Sequence, residues 1–511
     1  MWKQMNRTKL ILKGTYISII IALIQGMLTF WRTSVIITTY GTDINSISAA
    51  ATQVFSYLIL FESGVGAAYL FKMYEPFANK DFKKVNSLYL GLSKSLKKIS
   101  VKMIIGIIIA SILYPLILGE NSVGYFHAIM IILLQGIRFV YPYYCTIAKK
   151  NMLIVQERQY LVNFIDGVIN CIIVLVEIYL AKLFDIRIEF VLLVGILFSI
   201  ISNELYKIIL RRMCSIYTNN NVEPSYEGDD MTKDILVHQI SSLANSHIDT
   251  LILSVVDIFS VTVYTSYNSV MTYPVTLVNK IISNLRVSIG LKLSKNDANI
   301  YSVFKEIMSL NYFVAAVITS TFILMINKFV VLWIGEEFLL DKINVLLFSA
   351  ILVHRLIINT IYAVRDGKGL YKESKSYTVL TAISNLVLSV VLVKTLGIRG
   401  LLIATVFSTY VIMDLGNFYL VYNKIFNRKM ITVYMDYLLL IISIACSVIS
   451  TKTIFYWFFN SFVLTWGVFI VESLIAVLIS MIFITLILLI FNKSFKQVIN
   501  RLLMNMKFIK S

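Results

Sequence analysis

Apolar runs of about twenty residues recur from one end of this chain to the other, and no other feature constrains its fold so tightly. Each run is long enough to cross a hydrocarbon core of about 30 Å as a helix. Inside lipid every backbone amide must find its partner within the protein, and at these segment lengths only helices achieve that. The composition agrees. Of 511 residues 58% are hydrophobic and 14% charged, against about 25% charged in a soluble protein. The expected fold class is an all-α integral membrane protein.

Fourteen spans can be laid along the sequence, starting near residues 14, 46, 103, 124, 160, 188, 235, 261, 308, 343, 376, 399, 434 and 463. The basic start "MWKQMNRTKLILKG" leads into the first apolar run without a small-residue cleavage site, so it reads as a first transmembrane helix. Positively charged loops stay on the cytoplasmic side. With an inner N-terminus, inner segments collect 36 of the 46 Lys and Arg, outer loops seven, and span interiors three: Arg32, Arg138 and Arg355. Both termini are then cytoplasmic. Basic loops facing anionic inner-leaflet lipid account for the net charge of +18 without invoking nucleic acid.

The organisation expected is an N-terminal six-helix lobe (1–212), a cytoplasmic linker (213–233), a second six-helix lobe (234–430), and two additional helices with a basic tail (431–511). The linker is the polar, acidic stretch "YTNNNVEPSYEGDDMTKD". A shift of 217 residues lays spans one to six on spans seven to twelve, with Thr33 on Thr250, Tyr160 on Tyr377 and "VLV" at 174–176 on "VLV" at 391–393. Six helices per half gives both halves one orientation, a parallel repeat of the kind found in several secondary transporters. After span two, Val85, Leu88, Leu92, Leu96, Ile99 and Met103 recur at helical spacing with lysines between them, which predicts an amphipathic helix at the inner interface running into span three. "GIRGL" at 397–401 reads as a tight turn between spans eleven and twelve.

The motifs of enzymes are missing. There is no GxxxxGK[ST], HExxH or GxSxG, and the four cysteines and four histidines share no metal-ligand or disulfide spacing. No enzyme activity and no metal is expected. The chemistry must lie with ionisable groups inside spans, which in lipid usually face a bundle interior or a wet cavity. They are Arg32, Glu62, Arg138, Asp166, Glu177, Asp249, Arg355, Asp414 and Glu472. Glu62, in "LILFESGVGAAYLFK", is the one carboxylate of its run, and the small residues after it permit close helix contact or local unwinding. It either pairs with Arg32 or binds a coupling cation or proton. Arg138 has a competing reading as a snorkelled arginine among aromatics, and Pro142 four residues on predicts a kink. Asp166 and Glu204 read as inner rim groups and Glu177 as the same at the outer end. Asp249 is a candidate proton relay or sodium ligand.

Three stretches carry a resemblance: "FWRTSVIITTYGTD" in span one, "LFESGVGAAYLFKMYEPFANKD" in span two, and "NLVLSVVLVKTLGIRGLLIATVFST" in spans eleven and twelve. With this topology the chain resembles the polysaccharide and O-antigen (lipid-linked oligosaccharide) flippases of the multidrug/oligosaccharidyl-lipid/polysaccharide exporter superfamily. The resemblance implies two six-helix lobes in a V around a cavity that opens alternately inward and outward. It implies an undecaprenyl-diphosphate-linked oligosaccharide moved between leaflets of a bacterial plasma membrane for capsule or exopolysaccharide assembly. A polysaccharide polymerase and glycosyltransferases would be partners alongside membrane lipids. Arg32 matches the position of a diphosphate-binding arginine of such relatives; Arg138 and Arg355 are placed beside it by depth alone. The two extra helices match the fourteen-helix members, where they accommodate the lipid tail.

Physical reasoning points the same way. A diphosphate at mid-membrane needs arginine donors and water to receive it, and arginine's fork suits phosphate better than lysine's point charge. No cofactor is expected beyond a coupling Na+ or H+. Two rivals stay open: a cation-coupled multidrug exporter of the same fold, and a membrane glycan polymerase or glycosyltransferase, which would need a longer outer loop than "YGTDINS", "LGENSVG" or "VVDIFS".

Overall fold

A computed structural model describes residues 7–59, 62, 64–118, 122–156, 158–183, 186–213, 222–227, 248–294, 300–368, 370–459 and 463–510. Among these residues the secondary structure is helical throughout, without a strand. Among the described residues ten helices are long and apolar enough to cross a membrane, and the chain is a multi-pass membrane protein. The expected first, second, seventh and eighth spans are not among the ten. Span two is interrupted, and span seven begins in residues outside the description, as does most of the expected linker 213–233.

The chain divides into two compact units, 1–262 and 263–511. In the first, α1 is Arg7–Tyr40, α2 Thr42–Leu58, α3 Val65–Ala78, α4 Phe82–Ile117, α5 Tyr125–Cys145, α6 Ile147–Val155, α7 Gln159–Leu183 and α8 Ile188–Met213, followed by a short α9 over 248–256. Helix α4 is the expected amphipathic helix and span three fused into one. Asp81 caps it by accepting the Lys84 amide at 3.0 Å. Val85, Leu88, Leu92, Leu96 and Met103 are all buried along one stripe. Residues 222–227 of the linker lie across it: Ser225 donates its amide to the Ser87 carbonyl at 3.0 Å, and Lys84 pairs with Glu227.

Helices α1 and α7 run parallel in contact along their length, from the Gln25 amide on the Gly167 carbonyl to the Tyr40 hydroxyl on the Ile186 carbonyl. Helices α5 and α8 run parallel to one another, joined by His127 with Glu189 at one end and by Lys149, just past α5, with Asn203 at the other. Both run against α7. These directions are those the alternating topology requires of spans one and five, and of spans four and six.

The second unit contains most of α10 (Ile258–Ser294), then α11 (Ile300–Trp333), α12 (Lys342–Gly367), α13 (Tyr371–Leu396), α14 (Ile398–Phe407), α15 (Ile431–Phe459), α16 (Trp466–Phe491) and α17 (Lys493–Lys510). α4 and α11 begin 218 residues apart, at Phe82 and Ile300, and α5 and α12 begin 217 apart, at Tyr125 and Lys342. The starts of these two pairs of helices thus fall at, or one residue from, the offset read in the sequence. α14 continues unbroken through two π-helical stretches, Ser408–Asp414 and Tyr419–Ile425. Such turns are rare and recur at functional places. The additional helices α15 and α16 dock on α11, where the buried Glu472 receives Lys328 at 2.8 Å. The expected basic tail is a helix: α17 buries Phe495, and Arg501 forks onto Glu306 at 2.9 and 3.0 Å.

Candidate functional site

In the first unit two of the expected arginines meet on one acid. Arg32 of α1 donates through Nε to Oε2 of Glu177 on α7. Arg138 of α5 donates through Nη1 to Oε1 of the same carboxylate at 2.8 Å. Three helices therefore converge on one side chain, each arginine taking its own oxygen. The Glu177 side chain is 1% exposed, whereas Arg32 and Arg138 keep 24% and 30%. The acid is sealed and the guanidiniums remain reachable. An arginine has five N–H donors, so each keeps donors for another acceptor. Charge counts +1 for the three groups together.

Local sequence makes this seat. Pro142 lacks the amide that would bond the Arg138 carbonyl one turn back, and α5 ends three residues later, with Thr146 bridging it to α6. On α8, Gly195 faces Arg138 so closely that an added Cβ would lie 2.6–2.7 Å from its Cδ, Nε and Nη1. A side chain at this position would make the Arg138 side chain shift. Arg138 then reaches a cleft of about 200 Å³ walled also by Lys150, Asp166, Asn170, Ser199 and Ser202. At its far end Lys150 of α6 pairs with Asp166 at 2.7 Å, and Tyr206 donates to the same Asp166 at 2.9 Å. The cleft is smaller than the roughly 300–1,000 Å³ of drug-sized pockets.

Glu62 corrects an expectation. It does not pair with Arg32, which Glu177 already holds. Its Oε1 accepts the Gly66 amide at 2.6 Å and its Oε2 the Gly64 amide at 3.2 Å. The helix of span two is interrupted between α2 and α3, and Glu62 satisfies amides at the start of α3 that have no carbonyl one turn back. Gly64 there has φ 74°, the left-handed conformation, and Asn151 of α6 donates to the Gly66 carbonyl at 2.9 Å. The answer to a carboxylate in an apolar run is local: it holds a broken helix together where lipid could not.

Glu177 corrects a second. It is a buried hub and not a rim group. The sequence carried a signal, a lone acid in "IIVLVEIYL", but nothing in it said which arginines would arrive. Asp249 is buried on α9, a helix whose Ser254 shares a 2.5 Å hydrogen bond with Tyr114. His247 lies outside the described residues. Among those residues no group of three or more His, Cys, Asp or Glu is placed to hold a metal ion.

Arg355, in the second unit, is held by a neutral amide. Its Nη1 donates to Asn268 Oδ1 of α10 at 2.8 Å, and one turn on Asn359 donates to Asn279 at 2.7 Å. Among the described residues Arg355 makes no ion pair. Its neighbour His354 sits 3.0 Å from Asp414 in the first π-helical stretch, and Arg365 donates to Asn417 at 2.9 Å. Two polar links thus join α12 to the irregular part of the α14 span.

No protein-family model matches the sequence, and no curated protein matches it. Solved structures do match in fold. The lipid II flippase MurJ, in an inward closed conformation, superposes with a TM-score of 0.68 at 14% identity, covering 92% of this chain and 98% of that one. An inward-facing multidrug resistance MATE family transporter of the MOP superfamily gives 0.64 at 14% identity, over 78% and 96%. The eukaryotic MATE transporter AtDTX14 gives 0.56 at 13% identity, over 80% and 94%. The chain has the fold of these transporters.

Proposed function

We propose that this protein is an alternating-access flippase for a polyprenyl-diphosphate-linked oligosaccharide, moved from the inner to the outer leaflet for cell-surface glycan assembly. The observation that carries the reading is the clamp of Arg32 and Arg138 on Glu177. Two partly exposed arginines over a sealed acid make a net positive site with unused donors. Such a site favours a compact dianion over a cationic drug. The likeness to a lipid II flippase across nearly the whole of both chains is consistent with a lipid-linked cargo. Arg355, in the second unit, makes no ion pair among the described residues and keeps its charge for an anionic ligand. Asp249 is the candidate for a coupling Na+ or H+. Polymerase and glycosyltransferases acting on the same lipid are the partners this reading implies.

Reconstituted vesicles test it. A fluorescent polyprenyl-diphosphate sugar should cross with the wild-type protein and fail to cross with Arg32→Ala. Arg32→Lys should retain part of the rate, because it keeps the charge and loses the fork. Full activity in Arg32→Ala removes the assignment. A wild-type protein that moves cationic dyes and ignores the lipid-linked sugar would establish the multidrug reading instead.

A further inference from the structure

Helix α10, in the second unit, carries a polar stripe that the clamp does not use. At about 100° per residue, Asn268, Ser269, Thr272, Thr276 and Asn279 fall within one arc of about 100°, and no other residue of 268–279 shares it. With a rise of about 1.5 Å per residue the stripe runs for about 16 Å. Thr272 and Thr276 are exposed, whereas Tyr267, Met271 and Val278 on the far side of the helix are buried. From Ile258 to Asn279 the helix has no Asp, Glu, Lys, Arg or His. Two residues of α12 widen the stripe: Arg355 donates to Asn268 Oδ1 at 2.8 Å, and Asn359 donates to Asn279 Oδ1 at 2.7 Å. Exposed polar side chains on a helix of a membrane protein are tolerated where they meet water or a polar ligand, and not lipid.

We propose that this stripe binds the uncharged sugars of the cargo, its hydroxyls and amides meeting the hydroxyl groups of a glycan. This rests on the lipid-linked oligosaccharide reading above and adds the surface that takes the glycan. Ser269, Thr272 and Thr276 each donate to a carbonyl one turn back on α10, at 2.7, 2.8 and 2.8 Å. Their hydroxyl oxygens therefore keep lone pairs that accept. Asn268 and Asn279 have their side-chain oxygens engaged by Arg355 and Asn359, which leaves their amide N–H groups to donate. A sugar hydroxyl both donates and accepts, so it suits either kind of group. A cationic drug meets no carboxylate on this stripe, and a lipid tail would leave its polar groups unmatched. The stripe is longer than one sugar ring, which fits an oligosaccharide better than a single sugar.

Calorimetric titration of the purified full-length protein tests this with two probes that share a farnesyl tail and the two charges of a diphosphate diester. The sugar probe is farnesyl-diphosphate-linked N,N′-diacetylchitobiose. The diphosphate probe carries a methyl group in place of the sugars. The wild type should bind the sugar probe at least about tenfold more tightly, as a few net hydrogen bonds would give. The double variant Thr272→Val with Thr276→Val keeps the side-chain shapes and deletes two hydroxyls. Its preference for the sugar probe should fall to about twofold, with its affinity for the diphosphate probe unchanged. Equal affinity of the wild type for both probes overturns the proposal and leaves the diphosphate site standing. So does an undiminished preference in the double variant, or a loss that weakens both probes equally. A wild type that binds neither probe overturns the lipid-linked reading and this proposal with it. If the double variant does not fold, Thr272→Val and Thr276→Val are titrated singly, and each should lose part of the preference for the sugar probe alone.

Discussion

Arg138 illustrates how much one residue's role depends on a neighbour it does not bond. Its guanidinium runs to Glu177 across Gly195, where an added Cβ would lie 2.6–2.7 Å from its Cδ, Nε and Nη1. Gly195→Ala should push Arg138 off the acid without breaking α8, since alanine is the better helix former by about 1 kcal/mol. The expected result is a normal yield of folded protein and at least a tenfold weaker binding of the diphosphate probe, read by titration. Unchanged binding would mean the arginine has slack that the packing does not suggest. Glu62 makes the opposite prediction. Glu62→Gln keeps an acceptor for the Gly66 amide but loses its charge, so the loss should be on the order of 1 kcal/mol of stability. Thermal unfolding in detergent should fall by a few degrees while the transport rate per folded molecule stays.

At the scale of elements, the linker crossing on α4 is the contact most open to manipulation. A Cβ on Gly91 would collide with the Ser225 carbonyl. Gly91→Ala should therefore lift residues 222–227 off the helix, giving several-fold faster proteolysis there. The crossing is also held by Lys84, whose hydrogen bond and charge keep the Glu227 carboxyl below its ordinary range. A lowered carboxylate contributes stability above its unfolded pKa and loses it as the pH falls through the lowered one. Protection of 222–227 should accordingly be complete at neutral pH and decline only below the ordinary glutamate range of about 4.3, a decline that Glu227→Gln abolishes. The α4 stripe was legible in the sequence because burial follows helical period. The interruption of span two was legible only as a cluster of small residues, because an unwound turn has no period.

For the whole molecule, the informative contact is the one that ties the additional helices to α11. Glu472 is 3% exposed and Lys328 is its partner. Lys328→Met would strand a buried carboxylate, at a cost on the order of 2 kcal/mol. The double variant Lys328→Met with Glu472→Leu should recover most of the lost melting temperature, whereas the single variant should not. Equal melting of wild type and single variant would mean that α15 and α16 dock by apolar contact alone.

The sequence by itself determined that the chain crosses a membrane many times and that a few ionisable groups lie inside its apolar runs. Those properties follow from hydrophobicity, period and charge count, which act on each segment separately. Only tertiary structure decided that Glu177 gathers Arg32 and Arg138, that Glu62 caps a broken helix, and that Arg355 rests on an amide. A buried ion takes whichever partner the packing of distant helices brings within reach, and residues 145 and 39 positions apart leave no mark of that meeting in the order of the chain.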